Sequence, residues 1–183
     1  MLYSKFDRRS FLKLGALSVL AYPAFANANT SNAFARAQSR SLSFYNLHTT
    51  ERLKSVYWAD GKYIPESLAD INRVLRDHRN NEVFEISPRL LDTLCELRVL
   101  LETDQPIELI SGYRPPVTNA KLRSEGHGVA TNSLHMKGMA ADVRIPGRNL
   151  ARLRDAALSL KAGGVGYYPS QFVHVDIGRV RFW

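Results

Sequence analysis

The pattern of apolar and polar residues divides the chain into strand-like and helix-like segments. Over residues 41–63 the two kinds of residue alternate around a polar break at 48–51, which predicts two strands joined as a hairpin. We expect this hairpin to form an edge or an accessory sheet. Residues 65–79 and 87–101 instead carry apolar side chains three and four positions apart, which predicts two helices that each bury one face.

The two predicted helices are the scaffold of the domain. The buried stripe of the first consists of Leu68, Ile71, Leu75 and His78. Ser87 and Pro88 suit the N-cap and the first turn of the second helix. Its stripe consists of Leu90, Leu94, Leu97 and Leu101, with Leu91 and Cys95 beside it.

After Pro106 the pattern changes to short strands separated by glycine-rich turns. The predicted order is a strand in PIELISGYR, a helix in VTNAKLRSEG, a strand in MAADVRI, a helix in RNLARLRDAALSL, and strands in GGVGYYP and FVHVDIG. Helices followed by an antiparallel sheet indicate the α+β class. We therefore expect a small antiparallel sheet with the N-terminal helices packed on it.

The first residues resemble an export signal. The pair Arg8 and Arg9 precedes an apolar run at 14–20 that is too short to span a bilayer, and small residues follow at two potential cleavage sites. An uncleaved signal or a membrane-anchoring helix is the alternative. The predicted organisation is a twin-arginine signal over 1–26 cleaved after Ala26 or Ala28, a linker over 27–40 and a single domain over 41–183.

Charge and cysteine content narrow the class of protein. Removal of residues 1–26 takes away four basic residues and one acid, so the formal charge falls from +8 to +5. We expect a basic periplasmic monomer without a stable membrane anchor, attracted to polyanionic wall polymers or anionic lipid rather than to nucleic acid. The lone Cys95 can form no internal disulfide, and one thiolate excludes a cysteine-rich zinc site.

Two histidine–aspartate pairs lie in the second half of the chain. His174 and Asp176 are two positions apart in a predicted strand and therefore face the same side, where such a pair is costly unless hydrogen-bonded or metal-bound. Asp142 lies in another apolar strand, and His135 precedes it across a loop in which Gly138 permits a tight turn. Two histidines and one carboxylate are the ligand count of a catalytic zinc. The alternative is a capping histidine beside an ion-paired aspartate.

The stretch SLHMKGMAADV is similar to the S-x-H-x-x-G-x-A-x-D signature of the LAS-type zinc peptidases of family M15. Five residues fall in register with that signature: Ser133, His135, Gly138, Ala140 and Asp142. FVHVDIG resembles the strand that supplies the third metal ligand in that family. ISGYRPPVTN and GGVGYYP resemble its DUF882 or YcbK-like branch, and the resemblance extends over about residues 41–183.

The resemblance implies a LAS/hedgehog-type metallopeptidase domain in which His135, Asp142 and His174 bind zinc. It also implies a murein endopeptidase that acts in cell-wall growth and remodelling. Its substrate would be a peptidoglycan cross-link, either diaminopimelate–diaminopimelate or D-alanine–diaminopimelate. The alternatives are a D,D- or L,D-carboxypeptidase acting on stem peptides and a zinc-containing wall-binding module without catalysis.

Arg114 and Asp176 are the candidate catalytic residues. Arg114 is placed to bind a substrate carboxylate or to stabilise a developing oxyanion, and a solvated turn arginine is the alternative. Two branches of the family carry their general base at the positions of Gln171 and Phe172, neither of which can move a proton. Asp176 is therefore the candidate base, or else it orients His174.

Four further residues of the second half could line the site. His127 lies in a predicted loop, from which it could reach the substrate or remain exposed. Tyr113, Tyr167 and Tyr168 lie at strand ends, where packing is the alternative to a place in the cleft.

Overall fold

The computed structural model describes Phe34, Arg36 and residues 37–183. The predicted export signal, its cleavage sites and most of the predicted linker lie outside these residues. Ser39 and Arg40, at the end of the predicted linker, belong to the first strand. In the described part of the chain, no helix is both long and apolar enough to cross a membrane.

Strands and helices alternate irregularly along the described residues. The strands are β1 Ser39–Asn46, β2 Arg52–Ala59, β3 Lys62–Tyr63, β4 Ile107–Ser111, β5 Ala140–Arg144, β6 Gly164–Tyr168, β7 Phe172–Asp176 and β8 Arg181–Phe182. The helices are α1 Pro65–Val74, α2 Pro88–Leu100, α3 Pro116–Ser124 and α4 Leu150–Leu160, with a short 3-10 helix at Leu134–Lys137. Each segment predicted to be a strand or a helix after Pro106 is confirmed in type.

All eight strands form one sheet in the order β3-β2-β1-β4-β5-β7-β6-β8. Neighbouring strands are antiparallel except for the pairs β1/β4 and β6/β8. The α+β class is confirmed. The predicted hairpin is β1 and β2, and it forms one end of this sheet rather than an accessory sheet. The hairpin is continuous with the rest of the sheet because β1 pairs with β2 on one side and with β4 on the other.

Helix α1 ends at Val74 and is shorter than the predicted range 65–79. The next carbonyl, that of Leu75, accepts a hydrogen bond of 2.7 Å from the backbone N–H of Tyr113. The chain then enters a loop, so the prediction that His78 belongs to the buried stripe of the helix was wrong. His78 stacks instead on His48, with ring centroids 3.8 Å apart.

The predicted stripe of α2 is confirmed. Ser87 stands at the N-cap position and Pro88 opens the helix, although the Ser87 side chain makes no capping hydrogen bond. Leucines from α2 form the centre of the core: Leu90, Leu91, Leu94 and Leu97, each no more than 1% exposed. Helix α1 packs on β2, α2 on β1 and α4, and α4 on β6 and β7. Three helices therefore cover one face of the sheet.

The alternation along β5 and β7 decides where their polar residues lie. Ala141 and Val143 of β5, with Val173 and Val175 of β7, belong to the core beneath the helices. Because neighbouring residues of a strand face opposite sides, the residues between them lie on the other face of the sheet. Those residues are Asp142 and His174, and Asp176 follows on the same side.

Candidate metal-binding site

The pairing of β5 with β7 places an aspartate beside a histidine. The two strands are antiparallel, and Asp142 stands directly opposite His174 in their register. Directly opposite residues of an antiparallel pair have neighbouring side chains on the same face. The sheet therefore brings together two of the three predicted ligands, which are 32 residues apart in sequence.

The 3-10 helix supplies the third predicted ligand, His135. Ser133 caps this helix, since its hydroxyl accepts the backbone N–H of His135. The helix ends at Gly138 in the left-handed conformation, with φ of 63°. The imidazole of His135 is 1% exposed, and its Nδ1 lies 2.7 Å from the carbonyl oxygen of Gly112. A carbonyl only accepts, so Nδ1 carries the proton and the Nε2 lone pair is left to face β5 and β7.

Three potential ligand atoms converge in front of β5 and β7. His135 Nε2 lies 3.2 Å from His174 Nδ1 and 3.3 Å from Asp142 Oδ1. His174 Nδ1 is 2.8 Å from the same carboxylate oxygen. Two imidazole nitrogens and one carboxylate oxygen in this arrangement could hold a metal ion.

The carboxylate of Asp176 is fully buried behind His174 and is surrounded by donors. Its Oδ2 accepts from His174 Nε2 at 3.1 Å and from Arg181 Nη2 at 2.6 Å. Its Oδ1 accepts from the backbone N–H groups of Gly164 and Gly178, each at 2.9 Å, and from Arg181 Nη1 at 3.1 Å. Asp176 therefore holds the proton of His174 Nε2, and a metal ion at the ligand position would take the place of the proton that Nδ1 shares with Asp142 Oδ1.

Neighbouring side chains lower the pKa values of the two carboxyl groups in this cluster. Burial alone would raise the pKa of the Asp142 carboxyl, but the nearby His135 and His174 outweigh burial and hold it below its usual range. Burial would likewise raise the pKa of Asp176, and hydrogen bonds from His174 and Arg181 reverse that effect. Both carboxyl groups are therefore ionised at neutral pH.

A cleft of about 470 Å³ opens over the three potential ligands. Its lining includes Arg114 and Ser133 on one part and three aromatic side chains on another: Tyr168, Phe172 and Trp183. Asp142 is the one carboxylate among the described residues that line it. Gln171 stands at the position where one branch of the family carries a glutamate base. It is exposed, and it does not line the cleft.

Arg114 is a buried residue of the cleft, 8% exposed, and not a solvated turn arginine. Its Nε donates to the side chain of Asn119 at 3.1 Å, and its Nη2 donates to Ser133 Oγ at 3.0 Å. Burial lowers the pKa of Arg114, while the charge of Asp142 acts in the opposite direction. The guanidinium is therefore fixed in place close to the metal-ligand set.

Comparison with known proteins shows the family to which the chain belongs. Residues 34–183 match the M15 peptidase family described as peptidoglycan L,D-endopeptidase MepK. The chain belongs to this peptidase family. It is 46% identical over 186 residues to peptidoglycan L,D-endopeptidase MepK of Escherichia coli strain K12, which covers 98% of this chain and 99% of that protein. It is 38% identical over 189 residues to the probable peptidoglycan L,D-endopeptidase MepK of Haemophilus influenzae, which covers 100% of this chain and 98% of that one.

The remaining candidates of the sequence separate into cleft and packing residues. His127 is an exposed loop residue at the rim of the cleft, and Tyr168 also lines it. Tyr113 is buried away from it, stacked on Phe84 with ring centroids 4.6 Å apart. Tyr167 packs beneath the guanidinium of Arg154 at 4.7 Å.

Two site residues were missed at the level of sequence, Arg181 and Trp183. Arg181 pairs with Asp176, and the ring centroid of Trp183 lies 5.3 Å from that of His174. The available signal was their spacing, because residues two apart in a short strand face the same side. Arg181 and Trp183 have that spacing in the run RVRFW, but the strand there is only two residues long, which is too short for a pattern to show. This strand pairs with β6, which is distant in the sheet order from the N-terminal strands.

Proposed function

We propose that the protein is a zinc-dependent murein endopeptidase that hydrolyses amide cross-links between peptidoglycan stem peptides. The observation that carries the proposal is the convergence of His135 Nε2, Asp142 Oδ1 and His174 Nδ1 within 3.3 Å of one another. The names of the relatives in E. coli and H. influenzae support the substrate class.

The donor set fits zinc. Ligand atoms that lie 2.0–2.1 Å from a tetrahedral zinc are about 3.3 Å apart, which agrees with two of the three separations. Both histidine ligands are also oriented through their other ring nitrogen, His135 by the Gly112 carbonyl and His174 by Asp176. Three protein ligands are typical of catalytic zinc sites, which leave a fourth position open. When bound, zinc supplies a Lewis acid that polarises an amide carbonyl and makes water nucleophilic at neutral pH.

Asp176 acts in this proposal as the residue that orients His174, and not as the general base. All five of its contacts are donors, and the carboxylate is 0% exposed, so a water molecule in the cleft has no access to it. Arg181 holds both oxygens and keeps the carboxylate ionised. The role of Asp176 is to keep the Nε2 proton on His174 and the opposite nitrogen free.

Arg114 binds a carboxylate of the substrate or stabilises the negative charge that develops on the scissile carbonyl. Its Nε and Nη2 are fixed by Asn119 and Ser133, so the guanidinium enters the cleft without losing side-chain freedom on binding. Peptidoglycan stem peptides carry free carboxylates, which a buried guanidinium recognises well.

The bond that is cleaved is the diaminopimelate–diaminopimelate cross-link. Both relatives are named as L,D-endopeptidases. In this cross-link the scissile carbonyl belongs to an L-configured centre, whereas a D-alanine cross-link is a D,D bond. A cross-linked murein substrate requires action outside the cytoplasm. We attribute export to the twin-arginine signal over residues 1–26, followed by the domain over residues 41–183.

The test uses muropeptides of defined structure. The purified mature protein is incubated with a diaminopimelate-linked dimer, a D-alanine-linked dimer and an uncross-linked tetrapeptide, and the products are identified by mass spectrometry. We expect monomers from the first dimer alone, no product after chelation, and restoration by zinc. His174→Ala should be inactive on all three substrates.

Two other results would replace the proposal. Loss of the terminal D-alanine from the tetrapeptide would identify an L,D-carboxypeptidase. Binding to sacculi without any released product, in protein that contains stoichiometric zinc, would identify a wall-binding module.

A further inference from the structure

Three aromatic side chains from neighbouring strands form a continuous surface in the cleft. Tyr168 ends β6, Phe172 begins β7, and their ring centroids are 4.6 Å apart. Trp183 follows β8, and its Nε1 donates to the Tyr168 hydroxyl at 3.0 Å. We refer to Tyr168, Phe172 and Trp183 as the aromatic wall.

The indole of Trp183 is fixed beside the metal-ligand set. Its backbone N–H donates to Val165 at 3.2 Å, and its carbonyl accepts from Tyr167 at 2.9 Å. The ring lies over Gly166, where a Cβ atom would approach it to 2.8 Å. Its centroid is 5.3 Å from that of His174. The absence of a side chain at Gly166 is therefore what allows the indole to lie against the strands of the site.

This rigid surface remains open to the cleft. Trp183 is 46% exposed and Tyr168 is 37% exposed, although both are held by hydrogen bonds. A large aromatic surface that is fixed, accessible and next to a reactive centre is typical of a binding site for apolar groups. Phe182, the residue before Trp183, provides a contrast, because it is 58% exposed but does not line the cleft.

We propose that the aromatic wall binds the aliphatic side chain of the stem-peptide residue at the scissile bond, and that Trp183 determines the preference for diaminopimelate over D-alanine. This inference rests on the proposed function. Diaminopimelate presents a chain of methylene groups that ends in a charged centre, whereas alanine presents one methyl group. Each methylene group packed on the wall strengthens binding about fourfold. Arg114 then holds a carboxylate of the same substrate, so the two contacts together set its orientation.

The kinetic test compares Trp183→Ala with Phe182→Ala, which removes a ring of similar exposure from the neighbouring residue. We expect Trp183→Ala to raise KM for the diaminopimelate-linked dimer about tenfold while kcat changes less than twofold. Phe182→Ala should leave both constants unchanged. The metal content of both variants should match that of the wild type.

A second variant displaces the indole without removing it. Gly166→Ala places a methyl group against the ring, so we expect the same rise in KM. An unchanged KM in both Trp183→Ala and Gly166→Ala would overturn the inference. A fall in kcat with loss of metal and an unchanged KM would also overturn it, since Trp183 would then only shield His174.

Binding is measured separately from catalysis by fluorescence. The chain has two tryptophans, so Trp58→Phe leaves Trp183 as the one indole fluorophore. Titration of this variant with the tripeptide that ends in diaminopimelate, the product on the carbonyl side of the cleaved bond, should change its emission in a saturable way. No change in emission would contradict the inference. This measurement decides the question even if the wild type cleaves none of the dimers, a result that would refute only the proposed function.

Discussion

Arg114 illustrates how much a single residue depends on its surroundings. In the sequence it is a turn arginine after a strand, and solvent would screen such a charge. In the structure Asn119 and Ser133 bind two of its nitrogens, and Ser133 also accepts the backbone N–H of His135. The same serine therefore links the cation of the cleft to a predicted metal ligand.

We expect Arg114→Ala to raise KM for the cross-linked dimer by about 10- to 100-fold, since a hydrogen bond to a charged group contributes about 1.5–3 kcal/mol. Steady-state kinetics on the defined dimer measure this. Arg179→Ala is the matched control, because Arg179 is exposed and does not line the cleft. Equal effects of the two substitutions would show that only net charge matters.

His78 gives a prediction about pH. Burial lowers its pKa to about 4 from the ordinary 6.5, and the charges of Arg79 and His48 add to this against the opposing effect of Asp77. Below pH 6.5 the unfolded chain therefore binds a proton that the folded chain does not, so the free energy of unfolding falls between pH 6.5 and about 4. His78→Phe should make this decline shallower in urea denaturation. His127→Phe, at an exposed histidine, should leave it unchanged.

At the scale of elements, the sequence predicts the type of each strand and helix better than it predicts which strands pair with each other. The type of each strand and helix after Pro106 follows from periodicity and from glycine-rich turns. The register that sets Asp142 against His174 does not follow from them, because it depends on which strands become neighbours in the sheet. The same holds for the parallel contact of β1 with β4, which joins the N-terminal hairpin to the rest of the sheet.

The 3-10 helix depends on the glycine that ends it. Gly138 has φ of 63°, and a Cβ atom there would collide with the carbonyl oxygen of Glu85. We expect Gly138→Ala to destabilise the fold by about 3 kcal/mol or more and to shift His135. Gly147→Ala is the control, since Gly147 has φ of 73° and open space around its Cβ position, and it should cost only about 1 kcal/mol. Urea denaturation of both variants measures the difference, and equal losses would contradict the role of the Glu85 contact.

At the scale of the whole molecule, the candidate site joins distant parts of the chain. β5 and β7 lie inside the sheet, and the 3-10 helix is attached to the second helix, because Ser87 donates its backbone N–H to the Gly138 carbonyl at 2.9 Å. A ligand that binds only the folded arrangement stabilises the whole domain. The apolar core beneath the sheet therefore supports the site, and metal binding should in turn stabilise the core.

We expect zinc to raise the midpoint of thermal unfolding and a chelator to lower it. At a free zinc concentration 100-fold above the dissociation constant, the gain is about 2.7 kcal/mol, which corresponds to about 5–10 °C for a domain of this size. Calorimetry of the protein with zinc and with a chelator measures the shift. His174→Ala should lose the response because two ligands remain, whereas His127→Ala should keep it, since His127 is not part of the ligand set. A zinc shift that persists in His174→Ala would place the binding site elsewhere.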